Sequence, residues 1–494
     1  MGTYITFPEL LLWLPLLGGI ACFFMKEERS VKAWSLVIAL LILAVSVATL
    51  FYTDGKYATY NNVNYIWLKY LGNSFYIGLD GASRLLTFLT AIGFPLIFLA
   101  TYKNKYKNPA SFYGLMLLSQ AGLMGVFISM DALLFYFFWE LALIPVYFLC
   151  SSWGGERRIP ATFKFFVYTF VGSLLMLVGI IYVYLHTGQR SFEDGTISAH
   201  SFALSSFYNA SLSAADQNWL FWLFFAAFAV KMPVFPFHTW QPDTYDQAPT
   251  SVTMVLSGIM VKMGLFGVIR WLIPILPLAT IKFTHIVMIL SIAGMIYASF
   301  LALVQDNLKK LVAYSSIAHI GLMCAAIFAM NELSVQGVML QMFNHGINII
   351  GLWIVIDMIE QQTGVKHISK LRGIAIKAPI LTIMLVIIAL ANIALPLTNA
   401  FVGEFMMFAG LFAYNTWYAV AAIISIILAA IYTLNMIRKI FYGDTNSLTE
   451  NMKDISFNQQ LVLGLIVVLI FIMGVYPQPV IDLTKSAVTN LLKI

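Results

Sequence analysis

Four ionisable residues stand in the middle of long apolar runs. Lys231 lies in WLFFAAFAVKMPVFPFHTW and Lys262 in VLSGIMVKMGLFGVIRW, while Glu140 lies in LLFYFFWELALIPVYFL and Glu404 in LTNAFVGEFMMFAGLF. Each ionisable side chain at bilayer depth costs roughly 2.5–3.5 kcal/mol on insertion scales. Four of them in one chain point to a proton or ion path.

The surroundings of Lys231 sharpen this. Pro233 and Pro236 follow it. Proline lacks a backbone donor and clashes with the carbonyl four residues back, so the carbonyls of Ala229 and Met232 are expected to lose their helical partners. Within lipid, that is tolerated only where the backbone lines a cavity or is buried in protein. The next stretch, HTWQPDTYDQAPT, is too polar to face lipid. A lysine beside a helix break and a polar insert reads as an ion site; the plainer alternative is a kinked helix whose lysine pairs with a structural carboxylate. A lysine and a glutamate held together keep both charges, and separating them frees the lysine's proton. Glu140 and Lys231 are candidates for such a switch. Pro396, in ALANIALPLTNAFVGEF, repeats the pattern: it frees the carbonyl of Asn392 and lies two turns before Glu404. Interrupted apolar segments in corresponding positions of two halves are the mark of an inverted-repeat transporter.

Histidines add proton-carrying capacity near neutral pH. His319 (VAYSSIAHIGLMC) and His345 (LQMFNHGINIIG) fall inside consecutive helices, with Ser315, Ser316, Gln341 and Asn344 close in sequence. They read as a relay, against the bland alternative of a histidine bonded to one neighbour. His238 follows the Lys231 break and is expected near a cavity mouth. His186, His200, His285 and His367 fall in loops or at helix ends and are expected to be solvated. His319 and His345 could be mistaken for haem ligands. The chain has no C-x-x-C-H, no G-x-G-x-x-G and no Walker loop. Cys22, Cys150 and Cys324 are isolated and suggest neither disulfides nor a metal site. Electron chemistry and ATP hydrolysis are therefore not expected of this chain.

These residues must be positioned by membrane helices. The chain is 61% hydrophobic and 10% charged over 494 residues, where a soluble domain carries about a quarter charged residues. At roughly 20 residues per crossing, about fourteen spans are expected, near 7–25, 31–53, 81–101, 112–130, 131–151, 161–185, 219–238, 249–276, 283–304, 310–330, 335–358, 378–414, 417–441 and 458–480. The span 378–414 is too long for one straight helix and is read as broken at Pro396. The fold class is thus an all-α membrane protein with two inverted five-helix repeats, each holding a broken helix. Its organisation is residues 1–111 as N-terminal helices with an outer hairpin loop, 112–276 and 277–445 as the repeats, and 446–494 as a last helix and short tail. Within the loop 54–80, YIWLKYLGNSFYIGLDG reads as a hairpin with a Gly-Asn turn. The loop 186–217 reads as plain connection.

Sorting the loops alternately places 18 basic residues on one side and 8 on the other, with Lys231 and Lys262 between them. Basic residues accumulate on the cytoplasmic side, so both termini are expected outside the cytoplasmic membrane. Residues 1–9 hold no Lys or Arg, so the first apolar run does not read as a cleavable signal. The net charge of +6 follows from the loop bias and indicates no nucleic-acid partner.

The motifs FAVKMPVFPFHTW…PD…QAPTSV, SGIMVKMGLFGVIRW, ALVQDNLKKLVAYSSIAHIG, FNHGINIIGLW, FFWELALIPVYFL with WGGERR, and AAIYTLNMIRKIFYGD resemble the antiporter-like membrane subunits of respiratory complex I, over about residues 80–445. The resemblance implies fourteen helices, proton translocation, and roles by position. Glu140 matches the partner of the first broken helix's lysine, Lys231. Lys262 matches the lysine of the central polar axis, and Glu404 the residue linked to the outer half-channel. His319 and His345 match histidines bridging the axis. FVGEF places Glu404 where the L- and N-type subunits would carry lysine, and the chain ends soon after its last helix. The glutamate is expected to set it apart from both types, and the short end from the L-type, which continues into a long lateral helix. The resemblance further implies no cofactor in this chain, with NADH, FMN, Fe–S clusters and quinone held by partner subunits. The implied partners are other membrane-arm subunits, including L- and N-type ones, and the lipid bilayer. A subunit of a multi-subunit Na+/H+ antiporter is the alternative. Two departures stand out. The family's LPDAH-x-E-APT is QPDTYDQAPT here, so Tyr245 replaces a histidine and Gln247 a glutamate. Its GLPG is ALPL, which removes two glycines from the second break.

Overall fold

A computed structural model describes residues 5–52, 61–191, 195 and 197–493; Lys56 and the residues around it in the outer loop lie outside them. Among the described residues, eleven helices are long and apolar enough to cross a membrane. Three interrupted or shorter crossings join them: Phe7–Cys22, Ala214–Lys231, and the pair Pro379–Asn392 and Asn399–Tyr414. Counted with the broken helices once each, these make the fourteen crossings expected, and the fourth helix of each repeat is the broken one.

The second break follows from Pro396, but the chain turns there with Ala394 at φ 58° and Leu397 at φ 72°. At the first break the structure departs from the expectation for Ala229. Its carbonyl regains a donor from Val234 N at 2.9 Å, and the Val230 carbonyl accepts the Trp240 indole N–H at 2.9 Å. A wider turn and a side-chain donor thus satisfy buried carbonyls that proline would otherwise strand.

The helix Thr250–Ile275 carries two π-helical turns, Leu256–Met260 and Val268–Leu272. The first turns Lys262 toward its neighbour, the helix Glu332–Thr363. The two helices approach closely at Gly258 and Gly346: a Cβ on Gly258 would lie 2.7 Å from Ile350 Cγ1, and one on Gly346 would lie 2.9 Å from the Gly258 carbonyl oxygen. Only glycine permits that approach.

The connections gather on two opposite ends of the bundle. On the basic-rich end, Lys309 pairs with Glu360 at 2.6 Å and Lys366 with Asp246 at 2.6 Å. On the other end, the hairpin of β1 (Asn62–Leu68) and β2 (Asn73–Gly78) forms as the sequence predicts, turning through Gly72 at φ 64°. Asp131, fully buried, caps the helix Ala132–Trp153 and accepts from Asn73 Nδ2 at 2.7 Å, which fastens the hairpin to the bundle. The loop expected to be plain connection has structure of its own: a two-residue strand pair, Arg190–Ser191 with Ile197–Ser198, and a helical turn Leu204–Tyr208. Backbone bonds Ala132 N→Phe202 O and Leu204 N→Met130 O hold it. The tail, too, is ordered as a helix, Gln478–Leu492, whose Thr484 hydroxyl accepts from Gln336 Nε2 at 2.6 Å.

Candidate functional site: a buried polar chain

The π-turn and the Gly258–Gly346 approach bring Lys262 beside His345. Lys262 Nζ donates to the Ser257 carbonyl at 2.9 Å and to His345 Nδ1 at 2.8 Å. While Lys262 is charged it can only donate, and Nδ1 is then the acceptor. The His345 ring lies 5.6 Å from that of His319, centroid to centroid, at an interplanar angle of 56°. His319 Nδ1 is 3.0 Å from Glu404 Oε1, which also accepts from Gln341 Nε2 at 3.1 Å. Gly403 makes room for this contact, since a Cβ there would lie 2.8 Å from Gln341 Oε1. All five side chains are buried, with Lys262 at 0% exposure. The sequence-predicted residues Lys262, His345, His319 and Glu404 thus line up from the last helix of the first repeat, through the second, and into the second repeat's broken helix.

Several further polar groups surround that chain. Asn392 Nδ2 lies 3.4 Å from both His319 Nε2 and Ser315 Oγ, and the Tyr432 hydroxyl donates to Ser315 at 2.9 Å. Asn399 and Asn348 exchange side-chain bonds at 3.0 Å, and the Asn399 carbonyl accepts from Asn344. Asn344 and Ser315 were noticed as polar residues in apolar helices; Tyr432 and Asn399 carried no such signal, because amphipathic aromatics and capping asparagines are common at helix interfaces and ends. A small cavity beside His319 and Glu404 is lined by Met295, Phe408, Ser425 and Tyr432.

Lys231 is held differently. Its ammonium is buried, forms no hydrogen bond, and stands 5.6 Å and 5.9 Å from the ring centroids of Trp139 and Phe165. An aromatic cage of this kind attracts a cation through the ring quadrupoles. Glu140 is half-buried, its Oε1 is unpartnered, and no ion pair within 4.0 Å joins it to Lys231. The contact proposed from sequence is therefore open in this arrangement. His238 does not stand free at a mouth. It is 4% exposed and packs between Phe235 and Tyr297, with Nδ1 unpartnered.

At the helix break, the two departures from the family pattern have definite surroundings. Tyr245 is fully buried, edge-on to Trp353 at 5.8 Å and to Trp240 at 6.3 Å. Gln247 bridges Asp246 and the Trp153–Arg158 corner: Nε2 donates to Asp246 Oδ2 at 2.7 Å and Oε1 accepts from Arg157 N at 3.0 Å.

Residues 129–429 match the family model described as NADH:quinone oxidoreductase/Mrp antiporter, TM. NADH-quinone oxidoreductase subunit M of Rickettsia typhi is 33% identical over 491 residues, covering 97% of both chains. The chain belongs to the NADH-quinone oxidoreductase subunit M family. The expected resemblance, including its separation from the L and N types, is borne out. The fold agrees: a chain of respiratory complex I from Thermus thermophilus with bound NADH superimposes with a TM-score of 0.88 at 27% identity, covering 98% of this chain and 99% of that one. A chain of the Mrp complex from Dietzia gives a TM-score of 0.86 at 19% identity, covering 98% of this chain and 96% of that one. At that identity the likeness is one of fold.

Proposed function

We propose that the chain moves protons across the membrane arm of a NADH-quinone oxidoreductase, through Lys262, His345, His319 and Glu404, with Lys231 and Glu140 feeding the chain from the first repeat. The observation that carries this reading is the buried run of side chains from Lys262 to Glu404, hydrogen-bonded at Lys262–His345 and His319–Glu404 and joined in the middle by the 5.6 Å ring contact of His345 with His319. Imidazole accepts and returns protons near neutral pH, and a carboxylate and an amine at the ends supply acid and base of different strength. Each charge carried against the membrane potential costs about 2.3 kcal/mol per 100 mV. The downhill reaction must then come from NADH oxidation and quinone reduction in partner subunits, which hold NADH, FMN, Fe–S clusters and quinone; this chain carries no redox centre of its own. L- and N-type subunits are its neighbours in the membrane arm. The basic-rich end faces the cytoplasm and both termini face out, following the charge bias of the loops.

Lys262→Ala tests this in the assembled complex. NADH-driven acidification of inverted vesicles is expected to vanish. Acidification at the wild-type ratio to NADH oxidised would overturn the reading. Sodium uptake in place of proton uptake would point instead to the antiporter alternative.

A further inference from the structure

On the basic-rich end, a polar cavity of about 370 Å3 opens between the Asn104–Lys107 loop, the Trp153–Gly155 corner, the Asp246–Thr250 link and the end of the His345 helix. Asp357 lies in its wall. We propose that Asp357 is the carboxyl that takes protons from the basic-side aqueous phase and passes them toward Lys262, an inference that rests on the proton-translocating reading above.

Burial and charge single it out. Asp357 is 6% exposed inside a membrane-spanning helix, where a carboxylate is retained only with a partner or a task. Two of the lysines lining the cavity are engaged elsewhere, Lys309 with Glu360 and Lys366 with Asp246, each at 2.6 Å, and the other two, Lys105 and Lys107, stand on the Asn104–Lys107 loop. Among the described residues, no cation lies within 4.0 Å of Asp357. Its direct partners are neutral, the Asn104 amide Nδ2 at 3.1 Å and the Thr250 hydroxyl. Tyr106, on the same loop, is turned instead to Ser251 at 3.0 Å. Asp357 can therefore gain or lose a proton without breaking an ion pair.

A polar line leads inward from this mouth. The Thr250 hydroxyl donates to Glu360 at 3.3 Å, and Thr253 and Ser257 follow at spacings of three and four residues, on one stripe of the Lys262 helix. Ser257 presents its carbonyl to the Lys262 ammonium. One turn inward from Asp357 on the facing helix stands Trp353, fully buried with its indole N–H unpartnered, and Tyr245 against it has an unpartnered hydroxyl. Unpartnered buried donors of this kind call for a polar guest. The helical rise puts Asp357 about 18 Å from His345 along the axis, a distance that a proton crosses only by way of intervening polar groups and water. The step itself is a proton transfer. The carboxylic acid of Asp357 releases its proton inward, the Lys262 amine is the terminal acceptor, and the carboxylate is reprotonated from the cavity.

The test uses the intact complex in inverted membrane vesicles, reading acidification per NADH oxidised. Asp357→Asn, which preserves an acceptor for Asn104, is expected to lose acidification, and Asp357→Glu to keep it. Lys32→Met, which releases the Tyr102 and Asn104 carbonyls and so loosens the loop from its other side while leaving Asp357 and Asn104 in place, is expected to pump as wild type. Wild-type pumping by Asp357→Asn, or equal loss in Lys32→Met, overturns the proposal and makes Asp357 a staple for the loop. If Asp357→Asn does not assemble, the near-isosteric pair Thr253→Val with Ser257→Ala reads the same route, and unchanged acidification there overturns it. Pumping retained by Lys262→Ala would instead remove the underlying reading.

Discussion

Lys262 Nζ stands 2.8 Å from His345 Nδ1, on two helices that glycines allow to touch. Because the ammonium donates, a neutral His345 carries its hydrogen on Nε2, an atom with no other protein partner. That nitrogen is the one left to hand a proton on. His345→Leu is expected to slow proton transfer on the order of 10²-fold, the usual worth of a positioned acid–base group, as read by vesicle acidification at matched NADH oxidation. Rates near wild type would show that His345 only positions Lys262.

Glu404 takes two contacts on one oxygen, from His319 Nδ1 at 3.0 Å and Gln341 Nε2 at 3.1 Å. Glu404→Gln preserves an acceptor oxygen for both while removing the titratable group. The subunit is expected to assemble normally and the acidification to be lost, with Glu404→Asp recovering part of it. Loss of assembly in Glu404→Gln would show that the carboxylate's charge, rather than its proton, is what the site needs.

The spans, both breaks and the four members of the central chain were legible because charge and proline inside apolar runs are costly and therefore conspicuous. What was not legible depended on distance across helices. Nothing in FFWELALIP reveals that Lys231 nests on the rings of Trp139 and Phe165 and makes no ion pair with Glu140. The π-turn before Lys262 leaves no residue signature in LSGIM, yet it aims the lysine. The role of Asp131 as a hub for the outer hairpin was hidden because a capping aspartate looks the same whether or not it has a second, distant partner.

Ala394 and Leu397, where the resemblance noted from sequence implies glycine, both adopt left-handed backbone around Pro396. That conformation costs an L-residue roughly 1–2 kcal/mol, part of which glycine returns through the freedom it regains on unfolding. The side chain of Leu397 is 68% exposed, so little packing is lost with it. Ala394→Gly and Leu397→Gly are each expected to stabilise the break by about 0.5–1 kcal/mol, read as slower amide hydrogen exchange across 390–399. Faster exchange would show that the missing glycines had supplied flexibility and no relief of strain.

Gln247 gives its amide N–H to Asp246, whose carboxylate also takes Lys366 at 2.6 Å and Asn307 at 2.7 Å. Gln247→Glu replaces that donor with a second carboxylate at the same short range. Losing a donor to a largely buried carboxylate costs about 1–3 kcal/mol. Faster proteolytic cleavage at Lys366 is expected, relieved at acidic pH where one carboxyl is protonated. Cleavage at the wild-type rate would mean that a glutamate turns away toward solvent.

Asp306, in the loop before Leu308, accepts the Ser369 N–H and hydroxyl, both at 2.8 Å, and lies 3.3 Å from His367 Nδ1. Burial pushes its carboxyl up, but the Ser369 bonds and His367 together hold it below the ordinary carboxylate value. A carboxyl whose pKa is lower when folded lends stability that is complete above its unfolded pKa and is lost as pH falls through its folded one. The 366–370 segment is therefore expected to stay docked at neutral and mildly acidic pH, and to open only below the usual aspartate range. Amide hydrogen exchange at Ile368 and Ser369, followed against pH and corrected for intrinsic rates, should show that late opening, and Asp306→Asn should show it already at neutral pH. Opening at or above the ordinary aspartate pKa in the unaltered chain would mean that the Ser369 bonds do not favour the charged form, and that the backbone bond Ile368 N→Asp306 O holds the segment without them.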